Sequence, residues 1–366
     1  MDKIIKAKET MTARERVVKT LAYEKTDRVP INYSTNPAIH AKVAAALGFS
    51  NDYEGFIKAL GVDYRGIGAG YKGPLIFKEI PGLHVDPVYG FYTRWVSNEY
   101  GGYHDFCNFP LADADDEVIV NFNFPSPDDF NYDNVEPAIN HYKDYALHCG
   151  GAGTGDIINS IGRIMGMEDT LVGIYNENEA VLGLIDRKLN MELKITERVL
   201  EKAKGRIDFM WLGEDLGTQH TPMISLDLYR KVFRPRHQRF IDLAKSYNIP
   251  VMIHTCGSSS WVYEDFIEMG ISAVDTLQPE ATNMSPEYLI ENYGKRLSFH
   301  GCISTAGVLA YGTAEETTEY CKYTLELMMK NGGYHFAPTH QIQDNTPPEN
   351  VIAMYQAAHT YGQYNK

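Results

Sequence analysis

A histidine and a cysteine two residues apart are the strongest chemical signal in the sequence. They lie in the run His254-Thr255-Cys256-Gly257, directly after the apolar segment 250–253. In an extended strand, residues i and i+2 point to the same side, so this imidazole and this thiol face one space. Imidazole nitrogen and thiolate sulfur are ligands that zinc prefers, and Gly257 allows the chain to turn away after them. The pair can therefore share one zinc ion, although by itself this spacing is more often a buried cysteine beside a hydrogen-bonded histidine.

The sequence offers several further ligands for such a site. Catalytic zinc has three protein ligands and keeps a fourth position for water or substrate. His340, after the last predicted strand, and Cys302 are the alternative third ligands. Glu214 or Asp215 would complete the site as an exchangeable ligand, and we assign Glu214 a catalytic role. The structural alternatives are a small buried thiol for Cys302 and a helix cap for the two carboxylates.

Short apolar strands alternate with helices through most of the chain. Eight strands are predicted, at residues 29–33, 62–67, 145–151, 208–213, 250–254, 272–277, 297–300 and 334–338. Helical spacing of apolar residues is found at 12–23, 36–47, 53–60, 178–204, 226–247, 261–269, 286–293, 314–330 and 348–361. This alternation predicts the α/β class and a closed (β/α)₈ (TIM) barrel. An open sheet with a separate β domain is the alternative, which the absence of a Gly-x-Gly-x-x-Gly run after the first strand disfavours.

Residues 81–127 interrupt this alternation. Segments such as 90–96 and 118–120 alternate between apolar and polar residues and are separated by turn residues. Such a pattern predicts antiparallel hairpins, and we place them as an insertion in a single barrel domain that covers 1–366. The hairpins would form part of the barrel rim, a homodimer contact or a structural decoration.

In a (β/α)₈ barrel the chemistry is built at the mouth where the strands end. The polar and metal-type residues that follow the predicted strands are Asn32, Tyr33, Asp156, Glu214, Asp215, His254, Cys256, Gln278, Glu280, His300, Cys302 and His340. Their concentration favours a metal over a plain buried thiol at Cys256. We predict Asn32, Asp156 and Gln219 as substrate-binding residues. Helix capping and loop bracing are the structural alternatives for Asp156 and Gln219.

Composition excludes several classes of function. The 366 residues include 34 basic and 48 acidic side chains, a net charge of −14. An acidic chain without a long Lys/Arg run argues against a nucleic-acid partner. No segment approaches the roughly 18 apolar residues of a membrane span, and residues 1–6 lack the apolar core of a signal peptide. The five cysteines are scattered and odd in number, which indicates a reducing compartment, so we expect a cytoplasmic protein.

Several motifs resemble those of the uroporphyrinogen decarboxylase superfamily. They are Thr-Ala-Arg-Glu-Arg-Val at 12–17, Thr-Asp-Arg-Val-Pro at 26–30, Gly-Glu-Asp-Leu-Gly-Thr-Gln at 213–219, His-Thr-Cys-Gly at 254–257, Gly-Gly-Tyr at 332–334 and Thr-Pro-Pro-Glu-Asn-Val at 346–351. The resemblance spans nearly the whole chain and is least clear over the insertion. It implies a (β/α)₈ barrel, in agreement with the strand count.

Two branches of this superfamily differ after the first strand. Its decarboxylases bind a polycarboxylate porphyrinogen with an Arg-Gln-Ala-Gly-Arg stretch, whereas residues 32–37 here are Asn-Tyr-Ser-Thr-Asn-Pro. Without those arginines, the chain is more similar to the zinc-dependent, corrinoid-linked methyltransferases. Their ligand pattern resembles the His-x-Cys pair plus a cysteine near the last strand, where this chain has His340.

The resemblance implies a zinc-dependent methyltransferase. It would move a methyl group between a small methoxylated or other O-methyl substrate and the cobalt of a cobalamin carried by a separate corrinoid protein. The corrinoid is placed on a partner because the chain has no Asp-x-His-x-x-Gly run. Imidazole in place of a thiolate makes zinc more electrophilic, which favours an O-methyl donor. The alternatives are a methylcobalamin:thiol methyltransferase, a metal-free decarboxylase and a non-catalytic binding barrel.

Overall fold

The computed structural model describes residues 3–364. The predictions for residues 1–6 and for a domain over 1–366 therefore fall in part outside the described residues. The described strands are β1 (Tyr64–Gly66), β2 (Gly70–Tyr71), β3 (His84–Val85), β4 (Tyr92–Asn98), β5 (Gly101–Cys107), β6 (Phe130–Asn131), β7 (Ala146–Gly150), β8 (Phe209–Gly213), β9 (Val251–Thr255), β10 (Ala273–Thr276), β11 (Ser298–Ile303) and β12 (Tyr334–Pro338).

The α-helices lie before, between and after these strands and agree with most of the predicted helical segments. They are α1 (Ala13–Leu21), α2 (Pro37–Leu47), α3 (Tyr53–Leu60), α4 (Asp116–Asn121), α5 (Val135–His141), α6 (Ile158–Met165), α7 (Met167–Tyr175), α8 (Glu179–Ala203), α9 (Leu226–Leu228), α10 (Arg234–Ser246), α11 (Tyr263–Met269), α12 (Pro286–Tyr293), α13 (Val308–Tyr311), α14 (Ala314–Met328) and α15 (Pro348–Tyr361). In the part of the chain that the structure covers, no helix combines the length and the apolar character needed to cross a bilayer.

Seven parallel strands form the barrel wall in the order β1-β7-β8-β9-β10-β11-β12. The extended segment 29–33 fills the gap between the two ends of this sheet. Ile31 forms a parallel bridge with Phe336 of β12, and its carbonyl accepts the N–H of Asp63 beside β1 at 2.9 Å. Pro30 has no N–H to donate, so this segment makes isolated bridges rather than a strand. The (β/α)₈ barrel is thus confirmed, with its predicted first strand reduced to an extended segment.

The insertion contains antiparallel hairpins, as predicted, and they form a three-stranded sheet in the order β3-β4-β5. β4 and β5 pair over their whole length, from Tyr92 opposite Cys107 to Asn98 opposite Gly101. The prediction of alternating strand structure at 118–120 was wrong, because these residues lie in α4. Asp115 caps this helix by accepting the N–H of Val118, and acidic residues follow in its first turn. Local capping therefore outweighed a short apolar pattern that is ambiguous between strand and helix.

Helix α1 closes the end of the barrel where the strands begin. Val17 and Leu21 pack against Tyr64, Phe209 and Met252, which lie near the starts of three barrel strands. The side of the barrel opposite the predicted site is thereby filled with apolar side chains. This leaves the other end open for polar groups.

Beside α1, two arginines and two aspartates form a buried ion network. Arg16 contacts Asp27 at 2.7 Å and Asp63 at 2.5 Å, and Arg28 contacts Asp63 at 2.7 Å. Asp63 also accepts the N–H of Ile31 at 2.8 Å, so the network connects α1, the closing segment and the start of β1. The motifs at 12–17 and 26–30 therefore act in barrel closure.

We expect Asp63→Asn to destabilise the protein by about 3 kcal/mol or more, because it leaves two buried guanidinium groups short of negative charge. Urea unfolding of the variant and the wild type measures this difference. Glu264→Gln is the matched control, since Glu264 pairs with Arg296 at an exposed site and should cost less than about 1 kcal/mol. Equal losses in the two variants would contradict the role assigned to the buried network.

Candidate metal centre

An aspartate, a histidine and a cysteine meet where β8 and β9 end. The potential ligand atoms of Asp215, His254 and Cys256 all lie within 4.8 Å of one another, and this is the one group of its kind among residues 3–364. His254 Nε2 is 3.4 Å from Cys256 Sγ and 3.7 Å from Asp215 Oδ1. Oxygen, nitrogen and sulfur ligands at this spacing fit a zinc ion. We call these three residues the metal cluster.

The protonation states of the cluster suit a cation. Burial opposes the charged form of His254, but neighbouring Asp275 raises the pKa of this imidazole well above 6.5. Burial raises the pKa of the Cys256 thiol. Burial also acts to raise the pKa of Asp215, but His254 and the Cys256 N–H outweigh it and lower that pKa. The neighbouring carboxylate therefore favours a proton on His254, burial favours a proton on Cys256, and a bound metal would replace the protons on His254 Nε2 and Cys256 Sγ.

A carboxylate on β10 orients the histidine of the cluster. Asp275 accepts from His254 Nδ1 at 2.6 Å and, with its other oxygen, from His300 Nδ1 at 2.5 Å. Asp275 is in register with His254 on β9 and with His300 on β11, so the three side chains form a row across neighbouring strands. With Nδ1 engaged, His254 directs Nε2 to the cluster, as in most zinc sites with an outer carboxylate.

Gly257 lets the chain leave β9 beside the cluster. Its φ is +70°, and a Cβ at this position would lie 2.3 Å from the carbonyl oxygen of Gly217. A larger residue would therefore displace the loop that carries Cys256.

Of the two carboxylates predicted after β8, Asp215 lies in the metal cluster and Glu214 does not. Glu214 is fully buried and accepts the N–H groups of Ile157 and Ile158 at 2.8 and 3.0 Å, at the start of α6. Burial raises the pKa of Glu214 to about 8. Its side chain thus points behind the barrel wall and anchors α6, because the first N–H groups of a helix lack intrahelical partners.

The two alternative third ligands occupy different environments. The ring of His340 lies 6.4 Å from that of His254 between centroids and lines the same cavity, although outside the metal cluster. Cys302 is fully buried in β11, and burial raises the pKa of its thiol. The cluster thus consists of His254 and Cys256 with Asp215, while His340 is the metal-type side chain facing them.

Of the three predicted substrate-binding residues, two line the cavity and one does not. Asn32 lines the cavity, where its Nδ2 lies 3.0 Å from His300 Nε2. Asp156 lines it too, with only 2% of the residue exposed and with Oδ1 lacking any hydrogen-bond partner in the described chain. Gln219 is exposed on a loop and is not among the described residues that line the cavity.

The cavity at the barrel mouth has a volume of about 640 Å³, which suits a small organic molecule. Part of its wall is aromatic: the Trp211 ring lies 5.1 Å from that of His148 and 5.2 Å from that of His300 between centroids. The Nε1 atom of Trp211 is buried without a hydrogen-bond partner among residues 3–364. An unpaired buried donor in a cavity wall indicates a ligand acceptor.

Sequence reasoning missed Asp275, Trp211, His148 and Arg163 as cavity residues. Asp275 did carry a signal, because a charged residue inside the apolar strand 272–277 must find a buried partner. Nothing in the sequence marked the other three, since their side chains meet only when distant strands and α6 come together.

The family model of uroporphyrinogen decarboxylase (URO-D) matches residues 163–361, more than half of the chain. The chain belongs to the uroporphyrinogen decarboxylase family. The match includes the His-Thr-Cys-Gly run at 254–257 and β8 to β12, which supply all three residues of the metal cluster. Family membership therefore covers the half of the barrel that carries the cluster.

One solved structure with the same fold is a methyltransferase from Methanosarcina mazei. It superimposes with a TM-score of 0.64 at 16% sequence identity, over 95% of this chain and 98% of that one. Identity this low supports a shared fold along both chains. None of the curated protein sequences matches the chain.

Asp156→Asn should weaken the pH dependence of stability. Burial, together with Glu214 and Asp215, raises the pKa of Asp156 from 3.8 to about 7. The folded protein therefore binds this proton more tightly than the unfolded chain does, and the wild type loses unfolding free energy as the pH rises from about 4 to about 7. The loss is on the order of 3 to 4 kcal/mol.

Urea unfolding at pH 5 and pH 8 measures this effect, and the loss between the two should be smaller in Asp156→Asn than in the wild type. The control is Asp133→Asn at an exposed carboxylate, which should leave the slope unchanged. A wild-type slope retained in Asp156→Asn would show that this proton is not the cause.

Proposed function

We propose that this protein is a zinc-dependent methyltransferase that moves a methyl group between a small O-methyl substrate and the cobalt of a separate corrinoid protein. The observation that carries the proposal is the metal cluster at the barrel mouth. Its ligand atoms lie within 4.8 Å of one another beside the cavity of about 640 Å³. Membership of the uroporphyrinogen decarboxylase family and the fold shared with a methyltransferase support it.

Asp215, His254 and Cys256 would hold the zinc, and the ring of His340 lies 6.4 Å from that of His254 between centroids. Bound zinc would supply Lewis acidity toward the oxygen of the methyl donor. Zinc with one thiolate ligand receives less electron density from its ligands than zinc with two thiolate ligands, so it is the stronger Lewis acid. We therefore favour an ether or alcohol oxygen over a thiol as the group that the zinc binds. Asp275 keeps His254 in the orientation that binding requires, because it holds Nδ1 at 2.6 Å.

The cavity walls would position the substrate. Asn32 and His300 offer polar groups on one side, 3.0 Å from each other. Trp211 offers an unpaired N–H on the aromatic wall. Groups on both sides of a small molecule fix its orientation, which contributes to catalysis by holding the reacting atoms in line.

The cobalt is assigned to a partner because the chain contains no Asp-x-His-x-x-Gly run for binding cobalamin. The partner would approach the open end of the barrel, since α1 fills the other end. A small corrinoid domain at the mouth would place its cobalt against the cavity.

Cys256→Ala should abolish zinc binding and methyl transfer. We expect about one zinc per chain in the wild type, measured by elemental analysis, and little in the variant because one of its few ligands is lost. Methyl transfer is followed by cobalt absorbance with reduced corrinoid protein and a panel of methoxy compounds. Cys107→Ala is the control, because Cys107 has a similar half-buried thiol outside the cluster.

Two results would contradict the proposal. One is a gently purified wild type that neither contains nor takes up zinc. The other is release of carbon dioxide from a supplied acid at a rate that a chelator leaves unchanged, which would favour the decarboxylase alternative.

Asp275→Asn should lower zinc affinity about 10- to 100-fold, as the loss of an outer-shell partner usually does. His254 and His300 bond to different oxygens of Asp275, so in the amide one of these two imidazoles would face an NH₂ group, which donates instead of accepting. Competition with a chromophoric chelator measures the affinity, and Asp186→Asn, at a surface ion pair, should leave it unchanged. Wild-type affinity in folded Asp275→Asn would refute the orienting role.

A further inference from the structure

One arginine in the cavity wall has no carboxylate to pair with. Arg163 on α6 is half-buried and makes no hydrogen bond or ion pair within residues 3–364. Other arginines of this acidic chain are paired, for example Arg65 with Glu54 and Arg236 with Asp186. Arg163 is also the one lysine or arginine among the described residues that line the cavity. Its charge is therefore available to a ligand.

The inserted hairpin holds this guanidinium in place. The carbon at the centre of the Arg163 guanidinium lies 4.5 Å from the ring centroid of Phe106 on β5, and Phe106 lines the cavity as well. Stacking on a ring face limits the motion of a guanidinium but leaves its edge N–H groups free for a bidentate acceptor. The arrangement is therefore preorganised for an anionic group that accepts through two oxygens.

Two further groups on α6 and before it face the same space. Asn159 is one helical turn from Arg163 and donates to Asp215 of the metal cluster at 2.8 Å. Asp156 has its Oδ1 atom buried and unpaired. Burial raises the pKa of Asp156 to about 7, which reduces the negative charge that this carboxyl places beside the arginine. A buried unpaired oxygen beside an unpaired cation indicates a polar ligand at this position.

We infer that Arg163, stacked on Phe106 and flanked by Asp156 and Asn159, is an anion subsite that binds a carboxylate or sulfonate group of the substrate. The separation of four residues between Asn159 and Arg163 corresponds to about 6 Å along the helix. The anionic group therefore binds one helical turn away from the metal cluster, and a spacer separates it from the reacting atom. The aromatic wall of Trp211, His148 and His300 suits a flat spacer.

This inference rests on the proposed function only for the identity of the reacting group. Anion binding itself needs neither zinc turnover nor a corrinoid partner. The hairpin insertion thereby acquires a role in substrate selection, because it supplies Phe106 to the subsite.

Equilibrium binding without the corrinoid protein tests the subsite. Isothermal titration compares 4-methoxybenzoate, 4-methoxybenzenesulfonate and the neutral isostere 4-methoxybenzamide on the full-length protein. The wild type should bind at least one acid about tenfold or more tightly than the amide. Arg163→Gln should abolish this preference and change amide binding less than about threefold. Phe106→Leu should weaken acid binding by a smaller factor, about two- to fivefold.

Arg94→Gln is the matched control, since Arg94 lies exposed on the same hairpin and also has no ion pair among the described residues. It should retain the preference for the acids. Equal binding of acid and amide by the wild type, no binding of either acid, or equal weakening of acid and amide by Arg163→Gln would each overturn the subsite. Equal weakening by Arg163→Gln would show that Arg163 serves only to hold the hairpin in place through its packing against Phe106.

Failure of the methyl-transfer proposal is distinguishable from failure of the subsite. Acid-selective binding that depends on Arg163, in a protein without zinc or methyl transfer, would refute the proposed function and support the subsite. Zinc binding and methyl transfer without a preference for the acids would support the proposed function and refute the subsite.

Discussion

The carboxylate of Asp275 determines how the mouth of this barrel is arranged. It is 5% exposed and accepts from histidines on both neighbouring strands, at 2.6 and 2.5 Å. A buried charge is costly unless it is fully paired, so the two imidazoles are held where the carboxylate needs them. One of them, His254, then directs its other nitrogen toward Asp215 and Cys256. The other, His300, directs its nitrogen toward Asn32 and the cavity.

The ion network at the closed end of the barrel and the cavity lining at the open end differ in how their polar groups are paired. At the closed end, Arg16 and Arg28 are satisfied by Asp27 and Asp63, and Val17 of α1 packs against the apolar floor. At the open end, Trp211 Nε1 and Asp156 Oδ1 are buried without partners in the described chain. Complete pairing stabilises the fold, whereas unpaired groups in a cavity are available to a ligand. This difference separates residues that maintain the barrel from residues that select what enters it.

The runs 26–30 and 254–257 contribute to opposite ends of the barrel, and the second lies within the residues that match the uroporphyrinogen decarboxylase family. The run 26–30 supplies the buried network, and the run 254–257 supplies two residues of the metal cluster. The hairpin at β4 and β5 lies outside the matched residues 163–361, yet it brings Phe106 against Arg163 at the edge of the cavity. Residues outside the matched half thus contribute to the cavity wall, and loops at a barrel mouth can vary without disturbing the strands.

Local patterns were sufficient for the barrel, for the His-x-Cys pair and for most helices, because periodicity, capping and side-chain alternation along one strand depend on near neighbours. They failed at 118–120, where capping by Asp115 made a helix of an apolar run. They also could not choose between Glu214 and Asp215, which are adjacent in sequence but face opposite sides of the wall. The partners of Asp275 and the pairing of Arg163 with Phe106 depended on which strands became neighbours. Such contacts join residues far apart in the chain, and they exist only after the barrel has closed.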